Sequence, residues 1–250
     1  MKVFVTRRLP ETVMGRLEKA KEITELRVNP HDRALTRDEL EEGTAWCDIL
    51  LSQLVDPVDA ALMDCNSELK LIANYAVGYN NIDVDAATEL GILVTHAPTE
   101  SNWGGVAEGT MAIMLGLLKR LRERDEQVKS GGWRDEAHQG TYLGRRGDGY
   151  EGITIGIVGL GRIGTRISEY LRPWRVRLIG TDPYVPLEHF EECGVQPVDL
   201  KTLLEESDVA TFHVVLTKET HNMVDAEELK LMKPSSVIIN TSRGGVINED

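Results

Sequence analysis

Thr154-Ile155-Gly156-Ile157-Val158 runs directly into Gly159-Leu160-Gly161-Arg162-Ile163-Gly164, and this stretch decides the fold. The first five residues read as a buried strand, and Arg162–Leu171 carries a helical apolar pattern. A G-x-G-x-x-G alone is weak evidence, because loops need glycine. Between a strand and a helix, however, each glycine has a task. The first permits a tight turn, the second lets the backbone approach a pyrophosphate, and the third lets the helix pack close to the strand. The helix N-terminus then offers free N–H groups and partial positive charge to phosphates. The next strand, Val176–Thr181, leads into Asp182, 23 residues after Gly159 and close to the roughly 20-residue offset of a ribose-binding carboxylate. A carboxylate there repels a 2′-phosphate, so NAD is the expected cofactor. The competing structural reading, in which Asp182-Pro183 merely starts a turn, explains the aspartate but not the glycines.

Outward from this point the same alternation continues. Helix Leu200–Glu206, strand Val209–His213, helix Ala226–Met232 and strand Val237–Asn240 follow. Before it come strands at Val3–Thr6, Ile23–Val28, Asp48–Ser52, Leu71–Tyr75 and Ile92–Thr95, with helical segments at Glu11–Ala20, Val58–Met63 and Val84–Leu90. Thr36-Arg37-Asp38-Glu39 is a capping box that opens a further short helix. Strands alternating with helices imply crossover connections and mostly parallel sheets. Between the two series, Gly105 to Lys129 reads as one long helix with an apolar beginning and a charged end, stopped by Gly131-Gly132. Ser130 to Glu151 is rich in glycine and charge, as an irregular connector would be. The expected architecture is therefore α/β with two units.

The 250 residues suffice for one large or two modest domains. Twenty-eight Lys and Arg face 41 Asp and Glu, a formal charge of −13, which disfavours nucleic acid and anionic membrane surfaces as partners. Hydrophobic residues at 41 % and charged residues at 28 % describe a globular chain. Cys47, Cys65 and Cys193 lie far apart, so neither a disulfide framework nor a metal site is expected, and a reducing cytoplasm fits. The start lacks the apolar stretch of a signal peptide, and the apolar run Met111–Leu118 is far short of the ~20 residues of a membrane span.

Four motifs, taken in order, resemble the D-2-hydroxyacid dehydrogenases, the family of phosphoglycerate dehydrogenase and of glyoxylate and hydroxypyruvate reductases. They are Ala76-Val77-Gly78-Tyr79-Asn80-Asn81-Ile82-Asp83, Val106-Ala107-Glu108-Gly109-Thr110, Ile157 to Gly164, and Ile239-Asn240-Thr241-Ser242-Arg243-Gly244. The resemblance implies a flavodoxin-like substrate-binding domain at residues 1–98 and a doubly wound Rossmann NAD-binding domain at 99–250, with the long interdomain helix in the latter. It implies that backbone N–H groups at Val77 and Gly78 receive a substrate carboxylate. Cofactor-binding positions would be Val106, Gly159, Gly161, Arg162, Ile163, Gly164, Asp182, Val214, Thr241 and Ser242. Arg243 matches the catalytic arginine, whose planar guanidinium can engage a carboxylate oxygen and the ketone oxygen of a 2-oxo acid together. The segment usually read His-x-Pro-Leu stands here as His213-Val214-Val215-Leu216, and Asn80 replaces the usual aspartate. His213 itself reads as a hydrogen-bonded histidine at a strand end rather than as a base.

The implied activity is hydride transfer between NAD(H) and a small 2-oxo or D-2-hydroxy acid, in a homodimer to which Met111–Leu118 could offer an apolar face. The family also uses a glutamate and a histidine located after the arginine, the histidine as general acid. All six histidines here, His31, His96, His138, His189, His213 and His221, precede Arg243, and only seven residues follow it. The expectation is a C-terminally truncated chain, both domains incomplete and catalysis lost. The alternative is a dinucleotide-sensing protein of the transcriptional corepressor type, which shares this fold.

Overall fold

The alternation of strands and helices builds two parallel five-stranded sheets, one in each of two units, Met1–Thr99 and Glu100–Asp250. The computed structural model describes residues 1–133 and 138–250, so residues 134–137 of the expected connector lie outside the described residues.

In the N-terminal unit the strands are β1 (Lys2–Val5), β2 (Glu25–Val28), β3 (Ile49–Ser52), β4 (Leu71–Asn74) and β5 (Leu93–His96), in the order β2-β1-β3-β4-β5. That is the flavodoxin-like order. Alternate side chains of β1 enter two cores: Val3 and Val5 pack with Leu9 and Met14, while Phe4 packs with Leu50 and Ile72. A sheet buried on both faces needs helices on both. They are α1 (Glu11–Lys19), α2 (Arg37–Trp46), α3 (Ala60–Asp64) and α4 (Val84–Glu89). The capping box at Thr36 and Glu39 is formed at the start of α2. Helix α3 begins later than its apolar pattern suggests, because Val58 is taken into a bridge with Ile82 and Asp59 then caps the Leu62 N–H at 2.8 Å.

The C-terminal unit begins with a correction. The single helix expected from Gly105 to Lys129 is two helices, α5 (Glu100–Leu118) and α6 (Leu121–Lys129), parted by Arg120 in the left-handed region at φ 51°. The break is tertiary. Thr141, from the connector, donates its N–H to the Leu118 carbonyl and accepts from Lys119 Nζ, which satisfies the end of α5. Gly131, at φ 87°, terminates α6.

After the connector come β6 (Thr154–Val158), α7 (Arg162–Leu171), β7 (Arg177–Thr181), α8 (Leu187–Cys193), β8 (Gln196–Pro197), α9 (Leu200–Glu206), β9 (Val209–Phe212), α10 (Ala226–Leu231) and β10 (Val237–Asn240). The order is β10-β9-β6-β7-β8, all parallel. Numbered within the unit, this is 3-2-1-4-5, the doubly wound arrangement with its switch point between β6 and β9. Interior strand β9 is buried along its whole length. Helix α8 and the two-residue β8 are absent from the sequence reading. The signal for α8 was there, since Gly194 closes it in the left-handed conformation at φ 66°. Among the described residues no helix is long and apolar enough to cross a membrane.

Candidate functional site

The C-terminal ends of β6, β7, β9 and β10 lie side by side, and the chain leaves each through a segment singled out in the sequence. Gly159 turns at φ 91°, and a Cβ there would stand 2.7 Å from the His213 carbonyl oxygen and 3.1 Å from Val214 Cγ1. The first glycine is therefore both conformationally required and pressed against the loop that carries Val214. At Gly164 an added Cβ would collide with the Gly159 carbonyl oxygen, which is the close helix-to-strand approach the fingerprint demands. Gly161 differs: a Cβ would meet nothing within 4 Å. It caps α7 without any side-chain hydrogen bond, so the first N–H groups of that helix, including those of Arg162 and Ile163, are left to an external acceptor. An open approach to uncapped amides fits a pyrophosphate.

Asp182 follows β7 and binds the glycine turn directly. Its Oδ2 accepts the Leu160 N–H at 2.8 Å and its Oδ1 accepts the Tyr184 N–H at 2.9 Å. A carboxylate has about four acceptor sites, so two bonds leave capacity for a ribose diol. Tyr184 in turn donates its hydroxyl to Glu219 Oε2 at 2.6 Å, and the two carboxylates push the phenol pKa up. Glu219, in the loop after β9, thus ties the residue region that follows Asp182 to a neighbouring loop, a contact the sequence pattern did not reveal. Replacing Asp182 with Ala should weaken NADH binding about ten-fold or more and narrow the preference of NADH over NADPH by a similar factor, read by fluorescence titration. The ratio isolates the charge effect from loosening of the Leu160 turn. An unchanged ratio would count against Asp182 as the ribose residue.

After β10, Asn240 organises the turn that carries Thr241, Ser242 and Arg243. Its Nδ2 donates to the Arg243 carbonyl at 2.8 Å, and its Oδ1 accepts from the Ser242 N–H at 3.1 Å and the Ser242 hydroxyl at 2.7 Å. The Thr241 hydroxyl lies 2.9 Å from that of Thr110, a fully buried residue of α5. Arg243 is half-buried and donates from Nη1 to the Ser242 carbonyl at 2.8 Å. Val106 is half-buried in the second turn of α5, which starts at Glu100 rather than near Gly105. In the N-terminal unit, Val77 and Gly78 follow β4, again at the carboxyl edge of a parallel sheet. His213 Nε2 pairs with the Thr211 hydroxyl at 2.9 Å, its Nδ1 is buried without a partner, and burial pulls its pKa down to about 4.

Comparison with known proteins agrees with this geometry. Residues 111–250 match the family model described as D-isomer specific 2-hydroxyacid dehydrogenase, NAD binding domain. The chain is 41 % identical over 247 residues to a glyoxylate reductase of Thermococcus litoralis, covering 99 % of this chain and 73 % of the relative. The chain belongs to the D-isomer specific 2-hydroxyacid dehydrogenase family. Membership makes it an NAD-dependent 2-hydroxyacid dehydrogenase, with the match for the NAD-binding domain falling in the C-terminal unit. A D-3-phosphoglycerate dehydrogenase of Methanocaldococcus jannaschii is 36 % identical over 250 residues, covering all of this chain and 45 % of that protein. Among solved structures, a D-lactate dehydrogenase of Aquifex aeolicus complexed with NAD and lactic acid superposes with a TM-score of 0.85 at 30 % identity, covering 99 % of this chain and 71 % of that one. In this dehydrogenase, then, the two parallel sheets are the family's two α/β units.

Proposed function

We propose that the chain binds NADH across the carboxyl edge of β6, β7 and β9 and presents a short 2-oxo acid to it for reduction to the D-2-hydroxy acid, or the reverse. The observation that carries this reading is the convergence of the Gly159 turn, Asp182, Val214 and the Thr241–Arg243 turn on one sheet edge. Gly159, Gly161, Arg162, Ile163 and Gly164 receive the pyrophosphate, Asp182 the ribose hydroxyls, and Val106, Val214, Thr241 and Ser242 line the cofactor side. Bound NADH supplies the hydride. As the family resemblance implies, the Val77 and Gly78 N–H groups receive the substrate carboxylate, while the Arg243 guanidinium has the planar fork to engage a carboxylate oxygen and to polarise the ketone oxygen where negative charge develops. Glyoxylate is the first substrate to try, since the relative at 41 % identity is named a glyoxylate reductase, with hydroxypyruvate and phosphohydroxypyruvate as the next 2-oxo acids.

Oxamate, an unreactive mimic of a short 2-oxo acid, tests the reading without requiring turnover. The NADH-loaded chain should bind it, and Arg243→Lys, which keeps charge but loses the planar fork, should bind it about ten- to a hundred-fold more weakly at unchanged NADH affinity. Equal oxamate affinity in the two proteins would remove Arg243 from the site. For assembly, we propose a homodimer through α5. Met111, Met114 and Leu118 are spent on the unit's own core, so the surface available within Met111–Leu118 is that of Ile113, 47 % exposed, and Leu117, 51 % exposed.

A further inference from the structure

The loop of Val77 and Gly78 is gripped from behind by two side chains that no motif singled out. His96, the last residue of β5, places Nδ1 2.9 Å from the Val77 carbonyl oxygen. A carbonyl oxygen only accepts, so Nδ1 carries the proton of this bond. The ring also meets Tyr79 edge-on, with centroids 5.2 Å apart. Asn74, the last residue of β4 and 3 % exposed, donates from Nδ2 to the Gly78 carbonyl oxygen at 2.9 Å. Its Oδ1 accepts the Ser52 hydroxyl at 3.1 Å, which fixes the amide's orientation. β4 and β5 are adjacent and pair Asn74 with His96, so the two grips come from one rung of the sheet.

A trans peptide is a rigid plane whose C=O and N–H point in opposite directions. The Val77 carbonyl shares its plane with the Gly78 N–H, and the Gly78 carbonyl shares its plane with the Tyr79 N–H. Holding each oxygen on the sheet side therefore turns each N–H away from it. Among the described residues, neither N–H donates to a protein acceptor. Of these, the Gly78 N–H belongs to the donor pair proposed above. Its partner, the Val77 N–H, shares its plane with the Ala76 carbonyl, which accepts the Ala97 N–H at 2.9 Å. Both carboxylate donors thus have pinned carbonyls, and a bond to each oxygen polarises the attached N–H further.

We propose that His96 is a positioning residue for substrate: its Nδ1–H holds the Val77 carbonyl so that the Gly78 N–H faces the carboxylate of the 2-oxo acid, with Asn74 orienting the next peptide in the same way. The proposal rests on the reading of Val77 and Gly78 as the carboxylate loop, and the test separates the two. The 250-residue chain is labelled with 15N-glycine, loaded with NADH and titrated with oxamate, following the Gly78 amide resonance. That resonance should move as oxamate binds. His96→Leu should weaken oxamate binding about three- to ten-fold without altering NADH affinity. His96→Asp, which sets an acceptor against the carbonyl, should do at least as much. His96→Asn should stay within about two-fold of the unaltered chain, because its Nδ2 is the same number of bonds from the backbone as histidine Nδ1. Unaltered affinity in His96→Leu and His96→Asp, or no rescue by His96→Asn, overturns the clamp alone. Oxamate binding that leaves the Gly78 resonance in place, or no binding at all, overturns the carboxylate loop and the clamp with it.

Discussion

Replacing any one of the six histidines, His31, His96, His138, His189, His213 or His221, with glutamine should leave NADH-dependent reduction of glyoxylate or hydroxypyruvate within about ten-fold of the unaltered protein, whereas loss of a general acid costs about 10²–10⁴-fold. Hydride arriving at C2 leaves an alkoxide, which needs a proton as the C–H bond forms. The groups assigned here polarise the ketone, but none of them carries a transferable proton: guanidinium keeps its own, and backbone amides do not ionise. Each histidine can be weighed as a substitute. The His213 backbone carbonyl lies against the glycine turn, but with a pKa near 4 its side chain is neutral at pH 7, and its Nε2 is engaged with Thr211. His189 is fastened beneath the turn, its Nε2 3.0 Å from both the Leu160 carbonyl and the Thr165 hydroxyl. His96 is committed to Val77. His31 and His138 lie in connecting segments. His221, in the loop after β9, sits against the turn after Arg243, where a Cβ on Gly245 would stand 3.7 Å from its Cδ2, which makes its replacement the hardest test of the expectation. Stopped-flow measurement of NADH oxidation checks the expectation, and NADH fluorescence on the same sample checks binding. A fall of about 10²-fold or more in any one variant, at unchanged NADH binding, would mean that its histidine delivers the proton.

The parts of the molecule legible in the sequence are those with local causes. β6 and α7 occupy Thr154–Val158 and Arg162–Leu171 as the pattern predicts, because a run of apolar residues, a glycine turn and a helical stripe each act over a few residues. The break between α5 and α6 was not legible. Leu117 to Leu121 contains only good helix formers, and the residue that ends α5 is Thr141, which lies well outside the helix. The same distinction runs through the candidate site. Glycines announce themselves, whereas Thr110 with Thr241, Tyr184 with Glu219, and His96 with Val77 meet across 131, 35 and 19 residues. Those meetings follow from which strands are neighbours, and a one-dimensional pattern does not contain that.

The glycine turn supplies the second large effect, because its second and third glycines should fail in different ways. In Gly164→Ala the new methyl collides with the Gly159 carbonyl oxygen and stands 3.2 Å from Ile157 Cγ2, both parts of the β6 strand and turn at the centre of the sheet. Neither can retreat: Ile157 is fully buried, and Gly159 is held by its N–H to the Thr181 carbonyl at 2.9 Å. Helix α7 must therefore move, at a cost of about 1–3 kcal/mol for overpacking a filled core, which is roughly 2–12 °C in Tm for a chain of this size. Gly161→Ala meets nothing within 4 Å and should lower Tm by only about 1–4 °C, the cost of about 0.5–1 kcal/mol for a poorer N-cap with no packing clash. Its methyl instead occupies the approach to the first amides of α7, and NADH affinity should fall more than ten-fold. Thermal unfolding and NADH titration of the two variants thus separate packing from binding within one six-residue motif. If Gly161→Ala binds NADH as tightly as the unaltered chain, the space above Gly161 is not where the pyrophosphate lies, and the uncapped N-terminus of α7 loses its role.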